Sequence, residues 1–242
     1  MTQSTVPAPE SKTSKWEDFV DVFFSPGDLF RRRADGKFGL ALVVFFVLAT
    51  ALYFVTRSAM APVFDAEWQR ATAAMVKANP SITAEQMAAG RKMAETFGGV
   101  FIIIGAPIGA LVLGAVVWLV AKLMSGAISY TQGATIATYA LFPRLVESLV
   151  NALQANFLDE RSITSRFSVS LGVGRFLSPD QVSPLLLALV GRIDLFTLWV
   201  TVLIAVGIKV IGKITAAQAA IAGVLVWLIG AIPALYQAYR TM

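Results

Sequence analysis

Residues 38–57 read FGLALVVFFVLATALYFVTR. No charged side chain interrupts the run from Phe38 to Thr56, and Arg57 closes it. A helix rising about 1.5 Å per residue over that length crosses a hydrocarbon core of about 30 Å. The composition of the whole chain agrees with this stretch. The 242 residues are 57% hydrophobic and 14% charged, and mean hydropathy is +0.70. Soluble domains are about 45–50% apolar and about 25% charged. A soluble domain of this length has too little interior to hide so much apolar surface. The reading is an all-α, polytopic membrane helix bundle with about five transmembrane helices and an N-terminal interfacial amphipathic helix.

Working outward from the first span, four more are expected. The second covers about 97–121, with Gly105 and Gly109 at GxxxG spacing around Pro107. Small residues at that spacing favour packing within the chain, and Pro107 suggests a kink. Residues 84–96 are rich in helix formers and run straight into this span, with Thr83 and Gln86 as a cap after the Asn79–Pro80 break. The third span is expected at 134–153, the fourth at 184–211 and the fifth at 216–238. The fourth exceeds what a bilayer needs, so it is expected to tilt, kink or lie partly outside. The long polar connection 154–183 either caps the bundle or carries a short interfacial helix.

Before the first span, residues 1–13 read as a disordered tail and 14–37 as interfacial helices. Ser14 and Glu17 form a capping box, and Pro26 ends the first helix near Phe24. Trp16, Phe19, Val20, Phe23 and Phe24 share one apolar face, with Glu17, Asp18 and Asp21 elsewhere. Ser25, Pro26 and Asp28 read as N-cap, N1 and N3 of a second short helix, which leads to Arg31, Arg32 and Arg33. Trp16, Phe19, Phe23, Phe24, Arg31, Arg32 and Arg33 are therefore the candidate membrane-surface contacts. The alternative is a helix packed on another part of the protein. The segment does not read as a secretory signal, and with Thr2 no N-myristoylation is expected. Six basic residues (Lys12, Lys15, Arg31, Arg32, Arg33 and Lys37) precede the first span. They predict a cytoplasmic N-terminus.

The chain has no cysteine and no histidine. That removes disulfides, thiol nucleophiles and the commonest general base and metal ligand. No GxSxG, Walker A or HExxH pattern occurs. Gly172, Gly174 and Arg175 are a fragment of a glycine-rich loop without the strand and helix that frame a phosphate cradle. Ser125 near Lys122 reads as interfacial rather than catalytic. No enzyme activity and no cofactor or metal are expected. The net charge of +5 gathers beside an apolar segment, which suits anionic lipid rather than nucleic acid. The remaining candidate site is an intramembrane charge cluster of Arg144, Glu147, Arg192 and Asp194. Arg144 and Glu147 are three apart and suited to pair. Cross-span pairs Arg144–Asp194 and Glu147–Arg192 would lock two helices in register. The cluster reads either as a structural clasp or as an ion or proton pathway.

Three segments carry a resemblance. Ser25–Pro26–Gly27–Asp28–Leu29–Phe30–Arg31 resembles the pre-membrane signature of bacterial Yip-domain proteins, the family of Ypt/Rab-interacting membrane proteins. Gly133–Ala134–Thr135 through Tyr139–Ala140 to Pro143 resembles that family's proline-terminated segment. Asp194–Leu195–Phe196–Thr197–Leu198–Trp199 leading to Gly207 resembles its later span. The resemblance implies a Yip-like transmembrane domain over 38–242, a cytoplasmic N-terminus, about five spans and no known enzymatic activity. Eukaryotic members are linked to Rab GTPases, vesicle traffic and membrane shaping. No counterpart of the long N-terminal domain of those members is expected from these residues, and with it no Rab-type partner. The expectation is a non-catalytic membrane organiser or adaptor of the bacterial inner membrane. Its partners would be the lipid bilayer and a protein partner or a second copy, with no nucleic acid. The alternative is a small-solute or ion transporter or channel using the intramembrane charges.

Overall fold

The apolar run from Phe38 to Thr56 folds as expected into one helix, α3 (Gly39–Thr56). The computed structural model describes residues 16–240, so the expected tail 1–13 and the Ser14 cap lie outside the described residues. Two short helices precede α3: α1 (Asp18–Phe24) and α2 (Pro26–Arg32). Pro26 supplies no N–H to α1 and occupies the first turn of α2, where none is needed. The Ser25 side chain, expected as the cap of α2, makes no capping hydrogen bond. After α3 come α4 (Ala61–Ala78) and the 40-residue α5 (Ala84–Leu123). Thr83 and Gln86 close the expected capping box on α5, which continues unbroken through Pro107.

The expected third span is two helices, α6 (Tyr130–Ala140) and α7 (Pro143–Phe157). Pro143 has no N–H to donate back into α6, so the hydrogen-bond ladder stops at the junction. The start of α6 is fixed earlier than expected by a second capping box, Ser129 with Gln132. Every residue from Gly133 to Ala140 is buried, because α6 runs inside the bundle with protein around it. Small side chains allow this. A Cβ on Gly114 would lie 2.6 Å from Ala134 Cα, and one on Gly133 would lie 2.6 Å from the Gly114 carbonyl oxygen. The expected Gly105–Gly109 contact is different: a Cβ on either glycine would meet nothing within 4 Å.

The expected fourth and fifth spans are also interrupted. Residues 184–211 divide into α8 (Pro184–Val190) and α9 (Leu195–Gly212), and 216–238 into α10 (Ala216–Ile229) and α11 (Ile232–Arg240). Among the described residues, four stretches are long and apolar enough to cross a membrane: Gly39–Thr56, Ile103–Leu123, Leu195–Gly212 and Ala216–Arg240. The α6–α7 segment is not among them. Pro143 splits it, and its buried position suits Gly, Ala and Thr better than the large apolar residues that face lipid. It nevertheless lies antiparallel to α9 along that helix. Ile128 meets Gly212 and Ile136 meets Gly207, and Arg144 reaches Thr197 at the far end.

One continuous core joins the bundle, with Val22, Leu29, Phe30, Val117, Ile136, Leu203, Ile204 and Ile208 at its centre. A smaller one unites α4 and the end of α7 with the connection that follows, through Val63, Ala155, Ile163 and Val169. That connection folds into three short 3-10 turns, Glu160–Ser162, Arg166–Val169 and Val173–Phe176.

Candidate functional site

Two charged clusters stand out, and sequence reasoning anticipated only one of them. The first is built by the α1–α2 hairpin. Val22, Leu29 and Phe30 are fully buried in the bundle core. The Phe19 ring lies 6.2 Å from that of Tyr139 and 5.3 Å from that of Phe142. Phe23 meets Trp199 edge-on at 5.5 Å. This inward docking places Asp18 at the centre of an ion network, only 1% exposed. The Arg32 guanidinium donates to Asp18 at 3.0 Å and also pairs with Asp21. Arg33 pairs with the other Asp18 oxygen, to which the Tyr139 hydroxyl donates at 3.4 Å. Burial disfavours the charged guanidinium of Arg32. Its hydrogen bonds to Asp18 and Asp21 more than offset this, so its pKa lies above the ordinary value. Arg33 behaves likewise through Asp18.

The surface-contact candidates therefore divide. Phe19 and Phe23 face the bundle, and Arg32 and Arg33 are committed to Asp18. Arg31 stays exposed and pairs with Asp28. Trp16, Val20 and Phe24 are 66%, 56% and 81% exposed and lie on the outward side of α1. The hairpin thus presents a second apolar face away from the protein. The sequence signal for the inward docking was Asp18 and Val22, which lie beside Phe19 and Phe23 on a helical wheel.

The second cluster sits where three helices are interrupted. Arg144 and Glu147 form the expected pair at 2.6 Å, and Arg144 also donates to Thr197 Oγ1 at 3.0 Å. Neither expected cross-span pair forms. Asp194 instead N-caps α9, accepting from the Phe196 amide at 2.9 Å and the Thr197 amide at 3.3 Å. Asp194 is 4% exposed, and its Oδ2 has no hydrogen-bond partner among the described residues. Arg192 closes the other end of a different helix. Its guanidinium donates to the carbonyls of Gly230 and Trp227, each at 2.9 Å, and lies 5.4 Å from the Trp227 ring centroid. A cation on the C-terminal carbonyls of α10 complements the helix dipole. Asp194 does the same with opposite sign at the N-terminus of α9.

The α8–α9 break is tied to the 154–183 connection by backbone pairing of Gly172 with Asp194. A Cβ on Gly172 would lie 2.9 Å from the Ile193 carbonyl oxygen, so this glycine serves close backbone approach. Ser125 adopts a left-handed conformation (φ 64°) in the turn after α5. Lys122 stacks over Trp118 at 4.3 Å from the ring centroid. Among the described residues no group of three or more carboxylates is placed to hold a metal ion.

Comparison with known proteins bears on the whole arrangement. A family profile, the Yip1 domain, matches residues 20–236, from the hairpin to α11. No curated protein and no solved structure matches the chain. The matched region includes all of α2, the buried α6 and the Arg144, Glu147, Arg192 and Asp194 cluster, and it begins two residues after Asp18. It covers most of the chain, and the protein is a member of the Yip1 domain family of multi-pass membrane proteins.

Proposed function

We propose that the protein is a non-catalytic membrane organiser or adaptor of the bacterial inner membrane. Its N-terminal hairpin would be the element that meets the bilayer surface or a partner protein. The observation that carries this reading is the division of α1 into two faces. Phe19, Val22 and Phe23 hold the hairpin on the bundle, while Val20 and Phe24 remain on the outside. An apolar face held rigidly outward on a membrane protein is suited to lipid or to another apolar surface. The orientation we propose has the hairpin end in the cytoplasm. This reading rests on Arg31, Arg32, Arg33 and Lys37 immediately ahead of the first span, whose flanking charge usually dominates orientation.

The test places a photo-crosslinking residue at Val20 or Phe24 in native membranes. A reproducible foreign protein on the outward face supports the adaptor role, and lipid adducts support the organiser role. If Val20 and Phe24 yield neither, the hairpin has no such role. The transporter alternative has one supporting observation, the buried and unpartnered Oδ2 of Asp194. The capping and pairing of Arg144, Glu147 and Arg192 favour a structural clasp. Under the clasp reading, Glu147→Gln and Asp194→Asn lower thermal stability and leave proteoliposome flux at the lipid-only background.

A further inference from the structure

The α9–α10 pair carries a groove on its outer side that neither charged cluster uses. Thr201, Ala205 and Lys209 line it from α9, and Ala216, Ala220 and Gly223 from α10; its volume is about 410 Å³. The groove exists because the residues of α10 facing it are small. At its floor the helices touch: a Cβ on Gly223 would lie 3.1 Å from the Ala205 Cβ and 3.2 Å from the Thr201 carbonyl oxygen. Val202 and Val224, 58% and 54% exposed, rise as its walls.

The charge at its mouth is one-sided. Lys209 lies in the last turn of α9 and forms no ion pair with a described residue. Lys213 follows one turn later, and no acidic residue occurs after Asp194. The first turn of α10 opens at the same mouth through Ala216, which adds the positive end of its dipole. From Lys209 the apolar trough runs about 12 Å along α9 to Thr201. A cation at the rim of a membrane helix, above a narrow apolar trough, matches a phosphate joined to an acyl chain.

We propose that the α9–α10 groove is a binding site for one anionic glycerophospholipid, with the headgroup phosphate on Lys209 and an acyl chain along Ala205, Ala220 and Gly223. The full chain in mild detergent is titrated with phosphatidylglycerol or phosphatidylcholine carrying identical acyl chains. Bound lipid is read by native mass spectrometry. The expected result is one phosphatidylglycerol retained per chain in preference to phosphatidylcholine. Lys209→Gln lowers that retention roughly fivefold, the effect of one lysine near a membrane surface. Lys37→Gln, on the α2–α3 connection and paired with Asp35, leaves it unchanged. Ala220→Phe fills the trough from an exposed position and reduces retention of both lipids, which separates loss of the groove from loss of the charge. Equal retention of the two lipids overturns the proposal. So does an equal effect of Lys209→Gln and Lys37→Gln, or an Ala220→Phe protein that holds lipid as before.

Discussion

Replacing Asp18 with alanine removes the anion around which the N-terminal hairpin is docked. Two guanidinium groups then lose a partner. Arg32 keeps Asp21, but Arg33 keeps no acidic partner within ion-pair distance. Breaking a fully buried pair costs about 3–5 kcal/mol, because a charge is left desolvated. Here the side chains of Arg32 and Arg33 are 27% and 20% exposed, so water offsets part of that cost. A loss of about 3 kcal/mol in hairpin docking is expected, or about a hundredfold in the docking equilibrium. The chain contains no cysteine, so a single Val22→Cys, fully buried when docked, reports opening by its thiol-labelling rate. In membrane vesicles the Asp18→Ala background should label about a hundredfold faster than Val22→Cys alone. Adding Arg33→Ala to Asp18→Ala should recover part of the protection, since the stranded charge is gone. A labelling rate within about threefold of the reference, or strictly additive single and double variants, would refute the idea that this network holds the hairpin.

Other outcomes follow from the packing. Gly133→Val drives a side chain against the Gly114 carbonyl and Trp118, and should cost about 1–3 kcal/mol or more in detergent thermal unfolding. Gly105→Ala and Gly109→Ala meet nothing within 4 Å and should stay within about 0.5 kcal/mol of the parent in the same assay. Asp194→Ala removes the cap of α9 and should cost about 0.5–2 kcal/mol, whereas Asp194→Asn keeps an accepting oxygen and should cost less. Arg192→Lys cannot span the Trp227 and Gly230 carbonyls with one planar fork. It should therefore destabilise nearly as much as Arg192→Gln, by about 1–3 kcal/mol in thermal unfolding.

The parts of this fold legible in the sequence are those facing lipid or water. The run from Phe38 to Thr56 announces α3 because lipid selects for unbroken apolarity. Thr83 and Gln86 announce the start of α5 because a capping box is a local device. Ser129 with Gln132 and Thr215 with Gln218 carry the same signature, and both form boxes. Hydropathy obscures these starts, since it measures apolarity rather than hydrogen-bond closure. The breaks were harder to read. Pro143 was visible, but whether a proline kinks or ends a helix depends on its neighbours, as unbroken Pro107 shows. The charge cluster was legible as residues and not as geometry. Arg144 with Glu147 is fixed by helical spacing. The roles of Asp194 and Arg192 depend on where α9 begins and α10 ends, which are tertiary facts. The same holds for Arg32 and Arg33, whose partner Asp18 lies on a different helix.

The enclosure of α6 also bears on how the chain is made. A segment with Thr131, Gln132, Thr135 and Thr138 offers the insertion machinery far less apolarity than the spans that face lipid. It emerges from the ribosome directly after α5, joined by a connection of a few residues, and α5 is its most extensive contact. The two are therefore suited to enter the bilayer as one hairpin, with the apolarity of α5 carrying its companion. Another side of α6 packs on α9, which is synthesised much later. Until then the nascent protein holds a half-covered central helix, and a chain that stalls before Leu195 displays that surface to the quality-control proteases of the membrane.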